Sequence, residues 1–374
     1  MKIRDQGVIN RGEPGTARAI STFPALISLA DGSLLATYRV GSGKDSADGT
    51  LELRRSEDGG RSWGAPETPF ATSLNGMKGS LRTGYVTDLG DGHLLLVALW
   101  VDRQTYPGMP LFNEETEGCL PLEVVVADSR DMGRTWSGWR AVPVAADVGP
   151  PSLTNPVLVL ASGRLALSIE SNKTYRDRGQ WLQRVVYLYS DDRGKTWGAA
   201  LTTCQDPSGR IFNWDQRAEV FPDGRVATFT WTYDSQAARY LNIRRRLSAD
   251  EGATWTEPED LGFADQAARP AVFPDGRVVL AWVDRYQSRS IRARLAVAAD
   301  APFAAATEVE LYRHAADGSG GASGPEDTGD LLAEMGLWSF GLPFAAALPD
   351  GDAMVVYYAG DQSCMEVRWA RLVP

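Results

Sequence analysis

One eight-residue spelling, Ser-x-Asp-x-Gly-x-Ser/Thr-Trp, occurs four times, at Ser56–Trp63, Ser129–Trp136, Ser190–Trp197 and Ser248–Trp255. A chain that repeats a short motif at intervals is built from repeated supersecondary units, and this narrows the folds open to it. Each copy follows an apolar run, a turn and a second apolar run. That hairpin pattern has six instances, turning at Asp31, Asp91, Ser162, Asp223, Asp275 and Asp350, every 50 to 75 residues. Asp-Gly between apolar runs favours a tight hairpin because both turn residues tolerate positive φ; Ser162–Gly163 is a weaker version. Helical periodicity is nearly absent, and "GDLLAEMGLW" near residue 330 is the one short helical candidate.

The units therefore read as all-β. Six sheets in succession predict a six-bladed β-propeller, which limits exposed strand edges by radial repetition. The N-terminal "KIRDQGVIN" would add a strand to the last unit and close the ring. On this reading residues 1–374 form a single domain, with a Gly/Ser/Asp-rich loop insertion at about 302–337 between units five and six. A long loop in a compact fold is usually a lid or a disordered segment.

In the octapeptide the aspartate is expected to accept backbone N–H groups and the Ser/Thr hydroxyl. The glycine takes a conformation denied to other residues, and the tryptophan packs beside the neighbouring sheet. A calcium loop is the competing reading, but the regular ladder of oxygen ligands and its closing glutamate are missing. The motif reads as scaffold.

Composition limits the partners. A net charge of −10 and a pI near 4.9 argue against nucleic acid or an anionic membrane, while an anionic small substrate stays open if arginines gather in one cleft. Cys119, Cys204 and Cys364 have neither disulfide-framework nor metal-ligand spacing. No phosphate loop, metal cluster or nucleophile elbow stands in the chain, so no metal and no cofactor is expected; "GSGGASG" at Gly318–Gly324 lacks a strand–helix context. His93 follows a turn on the far face, and His314 lies in the insertion. The N-terminus has no apolar stretch after its basic residues, and no run approaches the roughly eighteen apolar residues of a spanning helix. The expected location is cytoplasmic, or secreted if a leader has been removed.

The octapeptides are Asp boxes. Together with Pro-x-x-x-x-Leu-x-Asp-Gly hairpins they make the chain resemble the sialidase (neuraminidase) superfamily of six-bladed propellers over essentially its whole length. The resemblance implies a carbohydrate substrate or ligand, bound at the central channel where the innermost strands begin and the second strands end. Asp45, on the loop after the second strand of unit one, matches the context of the family's general acid, with Asp48 a near alternative. Asp215 stands eight residues before a hairpin turn, where sialidases carry a glutamate that activates a tyrosine, and reads as the base or nucleophile partner. Arg39, Arg82, Arg103, Glu170, Arg217, Arg269, Asp284, Arg285 and Tyr358 are candidate substrate contacts.

"LWVDR" and "AWVDR" place Asp102–Arg103 and Asp284–Arg285 at one point of two units. They are either inherited local ion pairs or part of a polar ring that holds sugar hydroxyls and carboxylates. Trp100, Trp231 and Trp282 read as inter-sheet core in preference to sugar platforms.

The departures from the family matter as much. Thr22 and Trp231 stand where two arginines of the sialidase carboxylate clamp are expected, Leu342 at the tyrosine nucleophile, and Tyr358 at the glutamate that orients the first arginine. Sialic acid cleavage is therefore not expected. The expected function is a glycoside hydrolase that uses paired carboxylates on a non-sialic glycoside, acidic sugars included. The alternatives are a polysaccharide lyase acting on a uronic-acid glycan and a non-catalytic glycan-binding or interaction propeller.

Overall fold

The computed structural model describes residues 1–315 and 326–374, so the stretch Gly318–Gly324 lies outside the described residues. The hairpin units form as the sequence predicts. Leu94–Asp102 and Val226–Asp234 bury every residue, which explains their continuous apolar runs: a strand covered on both faces loses the period-2 pattern.

Among the described residues the strands join into five sheets. Four are blade-sized, with four or five strands, and begin at Gly79, Ser152, Ile211 and Gln266. The fifth has seven strands and merges the first hairpin unit with the last. In it Cys364–Val373 pairs antiparallel with both Ala353–Asp361 and Lys2–Asn10, and meets Ile20–Ser28 through one parallel pair, Ile20 with Met365. This corrects the six-bladed expectation. The two ends of the chain hydrogen-bond to each other, Met365 N donating to Ala19 O at 3.1 Å. Four discrete blades and one composite sheet stand where six separate blades were expected.

Successive sheets share apolar cores. Leu51, Leu53 and Leu96 join the composite sheet to the one starting at Gly79. Val124, Leu167 and Val186 continue to the next, then Leu158, Tyr187 and Val226, then Phe229, Leu280 and Trp282. Val279, Val355 and Ala370 return to the composite sheet. The chain is an all-β propeller with its ring closed by these contacts.

Each octapeptide follows its unit's third main strand, as a self-contained turn. In all four copies the aspartate accepts the hydroxyl of the Ser/Thr four residues on at 2.6 Å, and that residue's N–H at 2.8–2.9 Å. Those donors, the hydroxyl first, hold each carboxyl below its ordinary range. The carboxylates are committed to their own turns, at the end of the strands opposite the pocket described next.

Candidate functional site

Four of the innermost strands break register partway along: between Thr22 and Ala25, Leu81 and Thr83, Trp214 and Arg217, and Gly341 and Phe344. A bulge re-aims the side chain it carries. Phe23, Asp215 and Leu342, each eight residues before its hairpin turn, adopt positive φ of 53°, 45° and 40°. Non-glycine residues held there are strained, and such strain gathers at functional sites. These three line one axial pocket together with Arg82, Thr154 and Gln266 from the other innermost strands. Eight residues after the turns, Leu99, Glu170, Trp231 and Tyr358 complete the lower wall.

Trp181 and Trp214 form a side, and the helix Thr328–Leu337 with the following Trp338 covers it through Leu332, Met335 and Trp338. The cavity volume is about 110 Å³, and the pocket opens to solvent at its mouth.

Two carboxyls meet in this pocket under different conditions. Asp215 Oδ2 accepts a hydrogen bond from Gln266 Nε2, and Arg217 Nη2 lies 3.9 Å from Oδ1. Glu170 is 4% exposed. Its Oε1 accepts Gln216 N at 2.8 Å and Thr154 Oγ1 at 3.2 Å. Burial, and then the Asp215 charge, push its carboxyl up to about 8. Desolvation and a like charge both disfavour ionisation, so Glu170 holds its proton at neutral pH.

The other expected contacts fall in three groups. Arg82, Arg217 and Tyr358 line the pocket. Arg82 is ion-paired with Asp45 and lies over the Phe23 ring at 4.7 Å. Arg217 Nη1 donates to Thr154 O and, at 3.1 Å, to Tyr85 Oη. Burial raises the Tyr358 hydroxyl to about 12.

A second group stands behind the wall. Arg39, expected as a substrate contact, is 1% exposed and donates to Gly43 O and Ser46 O at 2.8 and 2.9 Å, so it fixes the loop that carries Asp45. Arg103 holds the same loop, with Nη2 donating to Asp45 O at 2.7 Å. Arg285 donates to Phe340 O and Gln266 Oε1. Asp284 accepts Gln287 N and Ser288 Oγ within its own loop, as Asp102 does with Gln104 N and Thr105 N.

Arg269 makes up the third group. It pairs with Glu219 and lines a separate opening with Phe221, Phe273 and Phe344, at the turn end of the strands. Asp45 itself is a quarter exposed in its pair with Arg82 and is absent from the pocket lining.

Sequence reasoning did not single out Gln266, Trp181, Trp214 or the helix residues. The bulge signal, a polar or bulky residue eight before a turn, finds Asp215, Phe23 and Thr154. An amide at Gln266 carries no signature of its own. Lys44 reaches the end of the helix, with Nζ donating to Trp338 O at 3.0 Å and to Met335 O. Of the tryptophans, Trp100 and Trp282 sit in inter-sheet cores, whereas Trp231 reaches the pocket.

The buried carboxyls make stability depend on pH. Burial raises Asp265 to about 7 as well. Both folded-state values lie above the unfolded ones, so the folded chain keeps protons that the unfolded chain releases. Their contribution is complete below the unfolded value of about 4 and is lost as pH climbs through about 7 to 8. Thermal unfolding followed from pH 5 to 8.5 is expected to show a falling midpoint, and Glu170→Gln should flatten the fall. An unaltered slope in that variant would mean Glu170 is ionised in the folded state.

A closed ring of sheets around an axial pocket defines a β-propeller. The chain belongs to the BNR repeat-like domain family, whose pattern residues 111–304 match. A sialidase from Micromonospora viridifaciens is 30% identical over 250 residues, 62% of this chain and 35% of the relative, so the chain spans about a third of that protein's length. A protein of unknown function from Dyadobacter fermentans superposes with a TM-score of 0.75 at 21% identity, covering 100% of this chain and 98% of the other. An α-L-arabinanase from Penicillium chrysogenum complexed with arabinobiose gives 0.65 at 16% identity, covering 99% and 98%. The two structural likenesses are of fold alone. No helix among the described residues is long and apolar enough to cross a membrane.

Proposed function

We propose that the chain is a glycoside hydrolase that cleaves a non-sialic glycoside in the axial pocket. The observation that carries this reading is the pairing of Glu170, buried and protonated, with Asp215, hydrogen-bonded and beside Arg217, inside walls of Trp181, Trp214 and Trp231. Two carboxyl groups whose environments drive their protonation apart can divide acid and nucleophile roles. Glu170 donates a proton to the leaving oxygen, and Asp215 attacks or stabilises the anomeric carbon as positive charge develops there. The indole faces give apolar area against sugar C–H groups.

The substrate preference follows from what is already committed. Arg217 is engaged by Thr154 O and Tyr85, and Arg82 by Asp45. Thr22, at the position of a sialidase clamp arginine, is fully buried. A sialic acid carboxylate would have to displace these pairs. A fold shared with an arabinanase supports a wider choice of sugars.

Asp45 is a second candidate acid, favoured by the two arginines, Arg39 and Arg103, that anchor its loop at the pocket mouth. Its carboxylate is already engaged by Arg82 and stands outside the pocket lining, which makes Glu170 the better-placed proton donor in this arrangement.

A panel of aryl glycosides tests the proposal: arabinosides, neutral hexosides, uronides and a sialoside. Hydrolysis of a non-sialic member is expected. A product absorbing in the near ultraviolet would show elimination in place of hydrolysis. Glycan binding with no turnover, or the sialoside as best substrate, would overturn the assignment.

A further inference from the structure

We infer that Arg285 is a positioning residue that acts through Gln266 to orient Asp215, and that Trp338 braces this relay from the pocket side. The inference rests on the reading of Asp215 as the reacting carboxylate. An arginine side chain can only donate hydrogen bonds, so the Gln266 atom that faces Arg285 Nη2 at 3.2 Å must be its carbonyl oxygen. The amide nitrogen then points the other way, onto Asp215 Oδ2. Without Arg285 the two ends of the amide become equivalent choices. A flipped Gln266 would present oxygen to oxygen at Asp215.

Arg285 is held firmly enough to make that choice. Its backbone N donates to Asp265 Oδ2 at 3.1 Å and its Nη1 to Phe340 O at 2.9 Å. Its guanidinium lies 3.8 Å over the Trp338 ring and 5.0 Å over that of Phe340. Trp338 is itself pinned, by Lys44 Nζ on its carbonyl and by the edge of Trp231 at 5.6 Å. The segment that covers the pocket is thereby tied to the carboxylate in the floor.

The matched "VDR" of unit two does the same kind of work: Arg103 Nε donates to Ser80 Oγ on the innermost strand of its own unit, while Nη2 holds the backbone of Asp45. The repeat thus supplies one arginine to each of two carboxylate-bearing segments.

Titration of Asp215 tests the relay without a substrate. Around it stand Glu170, Arg217, Arg82 and Lys44, with Tyr85 and Tyr358, and all remain in the variants. With 13C-labelled aspartate, the Asp215 carboxyl resonance is assigned by its loss in Asp215→Asn. Gln266→Leu is expected to raise its titration midpoint by about one pH unit, the loss of one hydrogen bond to the charged form.

Arg285→Met should raise the midpoint too, yet add nothing in the Gln266→Leu background, as a double-mutant cycle requires of residues acting in series. An equal rise in both backgrounds would show Arg285 acting by charge alone, and a static midpoint in Gln266→Leu would dismiss the relay. If Arg285→Met does not fold, Arg285→Lys keeps the charge and loses the fork. A raised midpoint there supports orientation; an unmoved one rejects it. Failure of the glycoside panel would remove the hydrolase reading while leaving this titration to decide the relay.

Discussion

Asp215→Asn and Glu170→Gln each lower kcat on the best glycoside by about 10²–10⁴-fold, the range of a lost acid–base or charge-stabilising group. The two variants then part company. Glu170 is uncharged below a value of about 8, so glutamine copies its shape and removes only the proton it gives. With a leaving group that needs no protonation, such as dinitrophenolate, Glu170→Gln is expected to recover most of its rate and Asp215→Asn almost none.

The pH profile carries the same signature. On the proposed roles the reaction uses the Glu170 proton, so the wild-type rate is expected to fall as pH rises past about 8, and that limb to disappear in Glu170→Gln. Asp45→Asn decides between the two candidate acids. If it, and not Glu170→Gln, is rescued by the activated leaving group, the proton comes from the mouth of the pocket and Glu170 is a buried support for the Asp215 bulge.

The sequence made the hairpins and octapeptides legible because their turn chemistry is local: Asp-Gly at Asp223–Gly224, and an aspartate bonding a hydroxyl four residues away at Asp192 and Thr196. Joining of the first and last units was not legible at that level. It depends on Ile20 meeting Met365, 345 positions away, and no hairpin pattern reports such a pairing. Pocket residues were readable where counting from a turn reaches a bulge, as at Asp215.

Side-chain direction was the weaker inference. Arg39 stands at the same count after its turn as Glu170 and Tyr358, yet its long side chain runs behind the wall to the carbonyls of Gly43 and Ser46. Arg269 follows its strand break and turns toward Glu219 at the opposite opening. Long cationic side chains go where carbonyls and carboxylates await them, and that is set by the neighbouring unit.

The same principle at Arg245 predicts the largest loss of stability. This side chain, 1% exposed on the strand Arg244–Ser248, crosses to the next sheet and donates to Ala299 O and Ala301 O at 2.8 Å each and to Asp300 O at 3.0 Å. It also grips Glu259 Oε2 with Nε and Nη2 at 2.9 and 2.6 Å. Removing a buried charge's partners, or the charge itself, strands polar groups that water cannot reach. Arg245→Met keeps the apolar stem and is expected to cost about 3–5 kcal/mol in denaturant unfolding. Arg245→Lys should restore only part, because an ammonium cannot span three carbonyls and a carboxylate as the planar fork does. The control is Arg313→Ala, which breaks an exposed pair with Glu310 and should cost under about 1 kcal/mol. Equal costs for Arg245→Met and Arg313→Ala would mean that the joint between these two sheets is held by its apolar core, Phe229, Leu280 and Phe303, without help from the clasp.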